Sequence, residues 1–185
     1  MAAIGRTENA AAIPDSAASE GFPPIANVNA RVLVLGSLPG VRSIAEQQYY
    51  AHPRNAFWPV MQALFDIDGD YDARRRQLAA NRIAVWDVLQ SSVRPGSLDA
   101  DIRLDGATTN DFATFFNSHP DIGAVFFNGK KAEALFTRFV DARPNTPSAQ
   151  FVVLPSTSPA YAAMPFSSKL DRWRQAFSLH NCSNT

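Results

Sequence analysis

The 185-residue chain contains one cysteine, Cys182, so no disulfide can form within it and no four-cysteine metal cluster can be held. With covalent staples excluded, the expected compartment is a reducing one: the cytoplasm, or the nucleoid if the source is prokaryotic. Histidine is scarce as well. His52, His119 and His180 are dispersed and do not form a zinc-ligand pattern. No apolar run approaches the roughly 20 residues of a membrane span. Residues 1–24 are rich in Ala, Ser and Pro but lack the continuous apolar stretch of a secretory signal, and they read as a disordered tail. Charge of one sign is not in excess, because 17 basic residues balance 17 acidic ones, so the chain as a whole lacks the basic footprint of a polyanion binder. The balance is uneven along the chain, however. Residues 31–58, 128–138 and 154–174 together hold nine basic and three acidic side chains, which leaves eight basic and fourteen acidic for the remainder.

What is present is enough for one full core. A domain of this size buries roughly 70% of its unfolded surface, and the hydrophobic fraction of 46% is that of an ordinary soluble fold. Val32–Leu35, Ile83–Leu89, Ala124–Phe127 and Phe151–Leu154 are apolar runs of strand length. Between and after them, 56–65, 72–81, 111–118, 130–139 and 167–179 carry helical spacing, with Pro59 tolerable only in a first turn. Strands alternating with helices predict βαβ units, hence a three-layer α/β/α sandwich around a four-stranded parallel sheet, occupying residues 25–185 as one domain. The domain is expected to be monomeric.

The run Arg31–Trp58 has the character of a site. An unalternating strand ends abruptly in Gly36-Ser37-Leu38-Pro39-Gly40, and a loop follows with Tyr49, Tyr50, His52, Arg54, Asn55, Phe57 and Trp58. Ligands of open α/β sheets bind at the carboxyl ends of the strands. A loop there with these side chains can stack on a planar group and orient a polar one. On extended backbone, Tyr49 and Tyr50 would point to opposite sides, so one of the two is expected in the pocket.

These residues resemble the first motif of the uracil-DNA glycosylase superfamily, and most closely its hypoxanthine-DNA (deoxyinosine) glycosylase branch; the Ala51-His52-Pro53-Arg54-Asn55-Ala56-Phe57-Trp58 segment is the most specific part. Phe126-Phe127-Asn128-Gly129 and Leu154-Pro155-Ser156-Thr157-Ser158-Pro159 follow in the expected order, each ending a strand. The resemblance covers roughly residues 28–178. It implies a monofunctional enzyme that extrudes a deaminated base from DNA and hydrolyses its glycosidic bond without metal, nucleotide or iron–sulfur cofactor.

The resemblance also assigns roles. Asn55 is the water-positioning catalytic residue, its amide oxygen aiming a water rather than deprotonating it; from the sequence alone it is equally a helix N-cap. Tyr50 packs on the extruded base, and Asn128, which can donate and accept at once, reads a lactam edge, with a strand-end turn as its structural alternative. Ser37, Leu38 and His52 complete the base pocket, His52 being equally able to bond nearby backbone. Gly36, Pro39, Gly40, Lys130, Ser156, Thr157 and Ser158 grip DNA, and Tyr161 is the candidate wedge. Asp87 is a supporting residue at the same sheet end. Leu38 departs from the wider superfamily, which often has Asp or Asn there to activate water, and this moves the burden to Asn55. Rival readings are a uracil or mismatch glycosylase on the same scaffold and, more distantly, a non-catalytic DNA- or nucleotide-binding module. A serine hydrolase using Ser37 or Ser156 with His52 lacks the G-x-S-x-G elbow.

Overall fold

The computed structural model describes residues 18–93, 102–140 and 149–180. Cys182, most of the expected tail and part of the loop after residue 90 lie outside them. The central strand β2 (Val32–Gly36) is buried along its whole length. On one side it pairs in parallel with β3 (Ile83–Asp87), and on the other with β6 (Ala124–Asn128), which pairs in parallel with β7 (Gln150–Leu154). The resulting order is β3-β2-β6-β7.

Alternation along β6 divides the helices between the two faces. Phe126 meets Phe177 of α6 (Phe166–Leu179), edge to face at 5.0 Å between ring centroids. Its neighbour Phe127 points the other way and meets Phe136 of α5 (Lys130–Phe139) at 5.3 Å. Trp86, level with Phe127 across the sheet, packs on Phe112 and Phe115 of α4 (Phe112–Ser118). On the α6 face, α2 (Phe57–Phe65) completes the layer through Phe57 against Trp173 and Phe65 against Phe177. The sequence-derived expectation of a three-layer α/β/α sandwich around four parallel strands therefore holds.

The elements differ from the expected ones in four places. Ile83–Leu89 divides after Asp87: the amides of Val88 and Leu89 donate to the carbonyls of Gly36 and Ser37, and the chain continues as β4 (Leu89–Val93). β4 lies in a small antiparallel sheet with β1 (Ala18–Glu20) and β5 (Thr108–Thr109). Within the stretch expected to be a tail, Ala18–Glu20 form a strand, and just beyond it Ile25 bridges to Val85. This polar stretch takes its order from backbone bonds to a partner strand, which its composition does not reveal. A short helix α1 (Val41–Glu46), capped by Gly40, occupies what reads as loop, and α3 (Tyr71–Ala80) starts one residue early because Asp70 accepts the Ala73 amide at 2.7 Å.

Trp173 is fully buried; its ring meets Phe57 and Phe177, and its indole N–H donates to the Pro155 carbonyl at 3.0 Å. Trp173→Ala should lower the unfolding free energy by about 3–5 kcal/mol in chemical denaturation, the usual cost of emptying a large aromatic site.

Candidate active site

The carboxyl ends of β3, β2, β6 and β7 open into a cavity of about 360 Å³, within the usual range for small-molecule sites. One wall is the Gly36–Gly40 turn, in which Ser37 and Leu38 are buried but still line the space. Tyr50, with its hydroxyl close to Gly36, also lines it, as do His52, Asn55, Asn128 and Ser156–Ser158. The structure thus gathers three segments separated by about a hundred residues of chain. Of the expected site residues, Lys130 and Tyr161 do not line the cavity: Lys130 is exposed at the start of α5, and Tyr161 borders a neighbouring hollow.

Tyr49 is held at three points. Its amide donates to the Tyr71 hydroxyl at 2.9 Å, its carbonyl accepts the Trp58 indole N–H at 3.0 Å, and its hydroxyl donates to the Phe22 carbonyl at 3.2 Å. Burial pushes the Tyr49 phenol well above its ordinary pKa, with the Asp87 carboxylate and the neighbouring tyrosines adding to the effect, so it stays protonated as a donor. Tyr50 follows with φ of +56°, a left-handed conformation uncommon for a non-glycine residue. Its ring stacks on Phe57 at 4.0 Å between centroids. The extended-backbone argument fails at this turn, and both tyrosines line the cavity. Ser43 of α1 braces the same turn by accepting the Ala51 amide at 3.3 Å.

Asn55 bonds at the start of α2 and also lines the cavity. Its side-chain oxygen accepts the Phe57 amide at 3.0 Å, although Ala56 is the formal cap residue. A carboxamide oxygen has two lone pairs, so one remains for a water, and its NH₂ has no bond to a described residue. His52 uses Nδ1 to accept the Arg54 amide at 3.1 Å, which places the proton of the neutral ring on Nε2.

Asn128 and Thr157 form a two-bond clasp. Asn128 Nδ2 donates to Thr157 Oγ1 at 2.8 Å, and the Thr157 amide donates to Asn128 Oδ1 at 2.8 Å. Each amide function of Asn128 is half used, leaving one N–H and one lone pair for a ligand. Thr157 is 1% exposed. Its hydroxyl and its amide are both engaged with Asn128. Its carbonyl also accepts the Ala56 amide at 2.9 Å, tying this loop to the start of α2. Beside the clasp, Gly129 has φ of +101°, and a Cβ there would lie 2.9 Å from Ser156 Cβ. Gly36 faces a similar constraint, since a Cβ would collide with the Asp87 carboxylate.

Asp87 is buried at the end of β3 and lines the cavity, as do Arg42 and Arg54, which the sequence reading did not select. Position within the motif loop was the available signal for Arg54; for Arg42 none existed until α1 was known. Among the described residues, no three His, Cys, Asp or Glu side chains are grouped to hold a metal ion. No helix of the described residues is long and apolar enough to cross a membrane.

A family model of the uracil DNA glycosylase superfamily matches residues 23–178. The chain belongs to that superfamily. It is 38% identical over 116 residues to the hypoxanthine DNA glycosylase of Methanosarcina barkeri, covering 61% of this chain and 72% of that protein. The hypoxanthine DNA glycosylase of Methanosarcina acetivorans is 37% identical over 115 residues, 60% of this chain and 72% of the relative. The solution NMR structure of a candidate uracil DNA glycosylase from Methanosarcina acetivorans superposes with a TM-score of 0.71 at 32% identity, covering 86% of this chain and 98% of the other. Membership in the uracil DNA glycosylase superfamily accounts for the order of the three wall segments.

Thr157→Val removes the hydroxyl that accepts from Asn128 and leaves a part-buried amide underbonded. The unfolding free energy should fall by about 1–3 kcal/mol, read by denaturation, while Thr157→Ser should retain most of it.

Proposed function

We propose that this member of the superfamily is a monofunctional DNA glycosylase that flips deaminated bases from the helix and releases them by hydrolysis, with hypoxanthine in deoxyinosine the leading substrate. The product, an abasic site in DNA, would pass to later steps of base-excision repair. The observation that carries the reading is the pairing of Asn55 with Leu38 in one cavity. Leu38 cannot polarise water, and of the polar groups in the cavity we assign that task to the Asn55 amide, fixed by its bond to the Phe57 amide. The names of the two archaeal relatives support hypoxanthine as the base.

In this mechanism the base enters between the Gly36–Gly40 turn and Tyr50, which Phe57 braces from behind. Asn128 offers its remaining N–H to the lactam carbonyl and its remaining lone pair to the adjacent N–H. Asn55 accepts a hydrogen bond from the attacking water and directs its lone pair to C1′. As the C1′–N bond breaks, its electron pair leaves with the base and the sugar becomes oxocarbenium-like; water oxygen bonds to C1′ and its proton is lost to solvent. A neutral amide is a poor base, so the rate gain is one of orientation. No cofactor enters the scheme.

Single-turnover assays on oligonucleotides with one deoxyinosine, deoxyuridine or deoxyxanthosine, followed by alkali, test the reading. Alkali-dependent breaks at deoxyinosine are expected. Release of uracil alone would reassign the substrate, and binding to every substrate with no release would leave a non-catalytic module. Asn55→Ala should slow release about 100-fold, the scale of a lost orienting contact. Asn55→Ser can still bond the Phe57 amide, so it should recover stability without recovering rate.

A further inference from the structure

Phe22 does not line the cavity, and it precedes residues 23–178, which match the family model. We infer that Phe22 is a positioning residue for the site: through Tyr49 it fixes the turn at Tyr50, and so the face on which an extruded base packs. The inference rests on the glycosylase reading for what Tyr50 meets, and on contacts outside that reading for how Tyr50 is held.

The strap that carries Phe22 is pinned at both ends. β1 pairs with β4, and the Gly21 amide donates to the Gln90 carbonyl at 2.6 Å. The approach is so close that a Cβ on Gly21 would lie 3.0 Å from the Leu89 carbonyl oxygen. Beyond Phe22, Ile25 and Val85 exchange amide-to-carbonyl bonds of 2.9 and 2.8 Å. Between these anchors the Phe22 carbonyl uses both of its lone pairs: it accepts the Tyr49 hydroxyl at 3.2 Å and the Trp86 indole N–H at 3.1 Å. The Pro23 carbonyl stands 3.4 Å from the same hydroxyl. The half-buried Phe22 ring meets the Tyr49 ring edge to face at 5.2 Å between centroids, a favoured aromatic geometry. One residue thus ties the motif loop to the end of β3.

Tyr49 passes the restraint on across one peptide bond. Tyr50 has φ of +56°, and such a conformation persists only while its surroundings over-determine it. With the Tyr49 ring loosened, the Tyr50 backbone can relax toward the commoner region and carry its ring off Phe57. Asn55 is held separately, by the Phe57 amide and by the Thr157 carbonyl on Ala56. Loss of the Phe22 ring should therefore weaken base stacking and leave the water-positioning amide in place.

A double-mutant cycle on single-turnover release from a deoxyinosine duplex tests this. Phe22→Ala should slow release about fivefold, the scale of one aromatic pair, and Phe22→Tyr, which keeps the ring, should match wild type. In a Tyr50→Ala background, Phe22→Ala should have no further effect. A second loss of about fivefold in that background, or full activity in Phe22→Ala, overturns the inference. If Phe22→Ala does not fold, Phe22→Leu takes its place in the cycle and is read in the same way. Amide hydrogen exchange keeps the two readings apart. The Ala51 amide, which donates to Ser43 Oγ, should exchange about fivefold faster in Phe22→Ala, while the Phe57 amide, which donates to Asn55 Oδ1, stays unchanged. Equal acceleration at both amides would make Phe22 a general prop and overturn its role. The selective pattern with no release by the wild-type protein sinks the glycosylase reading alone; wild-type release with an unchanged Ala51 amide sinks the role of Phe22 alone.

Discussion

The clasp between Asn128 and Thr157 is the constraint on which the site depends. Two hydrogen bonds of 2.8 Å join the end of β6 to the loop after β7, and the Thr157 carbonyl passes the restraint to Ala56 at the start of α2. Asn128 and Asn55, the two amides assigned to base and water, are thereby positioned through a single residue. The close approach this requires explains Gly129, where both a left-handed φ and the proximity of Ser156 exclude a side chain. A part-buried, mutually bonded pair of this kind gains little net energy per bond, but removing one partner is expensive, so it specifies one arrangement more than it adds stability.

The motif loop is fixed by aromatic packing. Tyr49 is anchored through its amide, carbonyl and hydroxyl, and Phe57 stacks under Tyr50 while meeting Trp58 and Trp173 edge-on. A non-glycine residue in the left-handed region costs of order 1–3 kcal/mol and persists when its surroundings over-determine it; Tyr50 is surrounded in that way. One of those anchors is the Phe22 carbonyl, which also accepts the Trp86 indole N–H at 3.1 Å. The segment leading from β1 into the domain is therefore part of the site's support.

The fold and the three wall segments were legible in the sequence because they rest on strong signals. Unalternating apolar runs of strand length report a sheet buried on both faces, and abrupt Gly, Pro and Ser turns mark where its strands end. What escaped was structure made by partners distant in sequence. Ala18–Glu20 has no hydrophobic pattern of its own and is ordered by pairing with β4. The left-handed φ of Tyr50 reversed an argument from extended alternation. Thr157 looks like a phosphate-binding hydroxyl in its Ser-Thr-Ser run, and only the position of Asn128, 29 residues earlier, shows what its hydroxyl does. Lys169 reads as one more charge on an amphipathic helix until its burial is seen.

Leu38, where the wider superfamily that the sequence resembles often has Asp or Asn, changes what the rest of the cavity must do under the proposed mechanism. A carboxylate can compensate for imperfect placement by basicity; an amide has no such reserve, and its whole contribution is geometric. An enzyme relying on Asn55 therefore needs that side chain immobile before substrate arrives. Each restraint described above serves this need: the helix-start bond from Phe57, the Thr157 carbonyl on Ala56, and the aromatic stack under the loop that carries Asn55. In the proposed mechanism, rigidity of the Asn55 amide takes the part that a residue at position 38 would otherwise play. A buried Leu38 also makes part of the cavity wall apolar, and a lower local dielectric raises the value of polar contacts beside it. The same logic bears on the base. Under the proposed reading, Asn128 offers one donor and one acceptor in a fixed plane, which would favour a lactam edge and leave an amidine edge, as in adenine, mispaired at both positions.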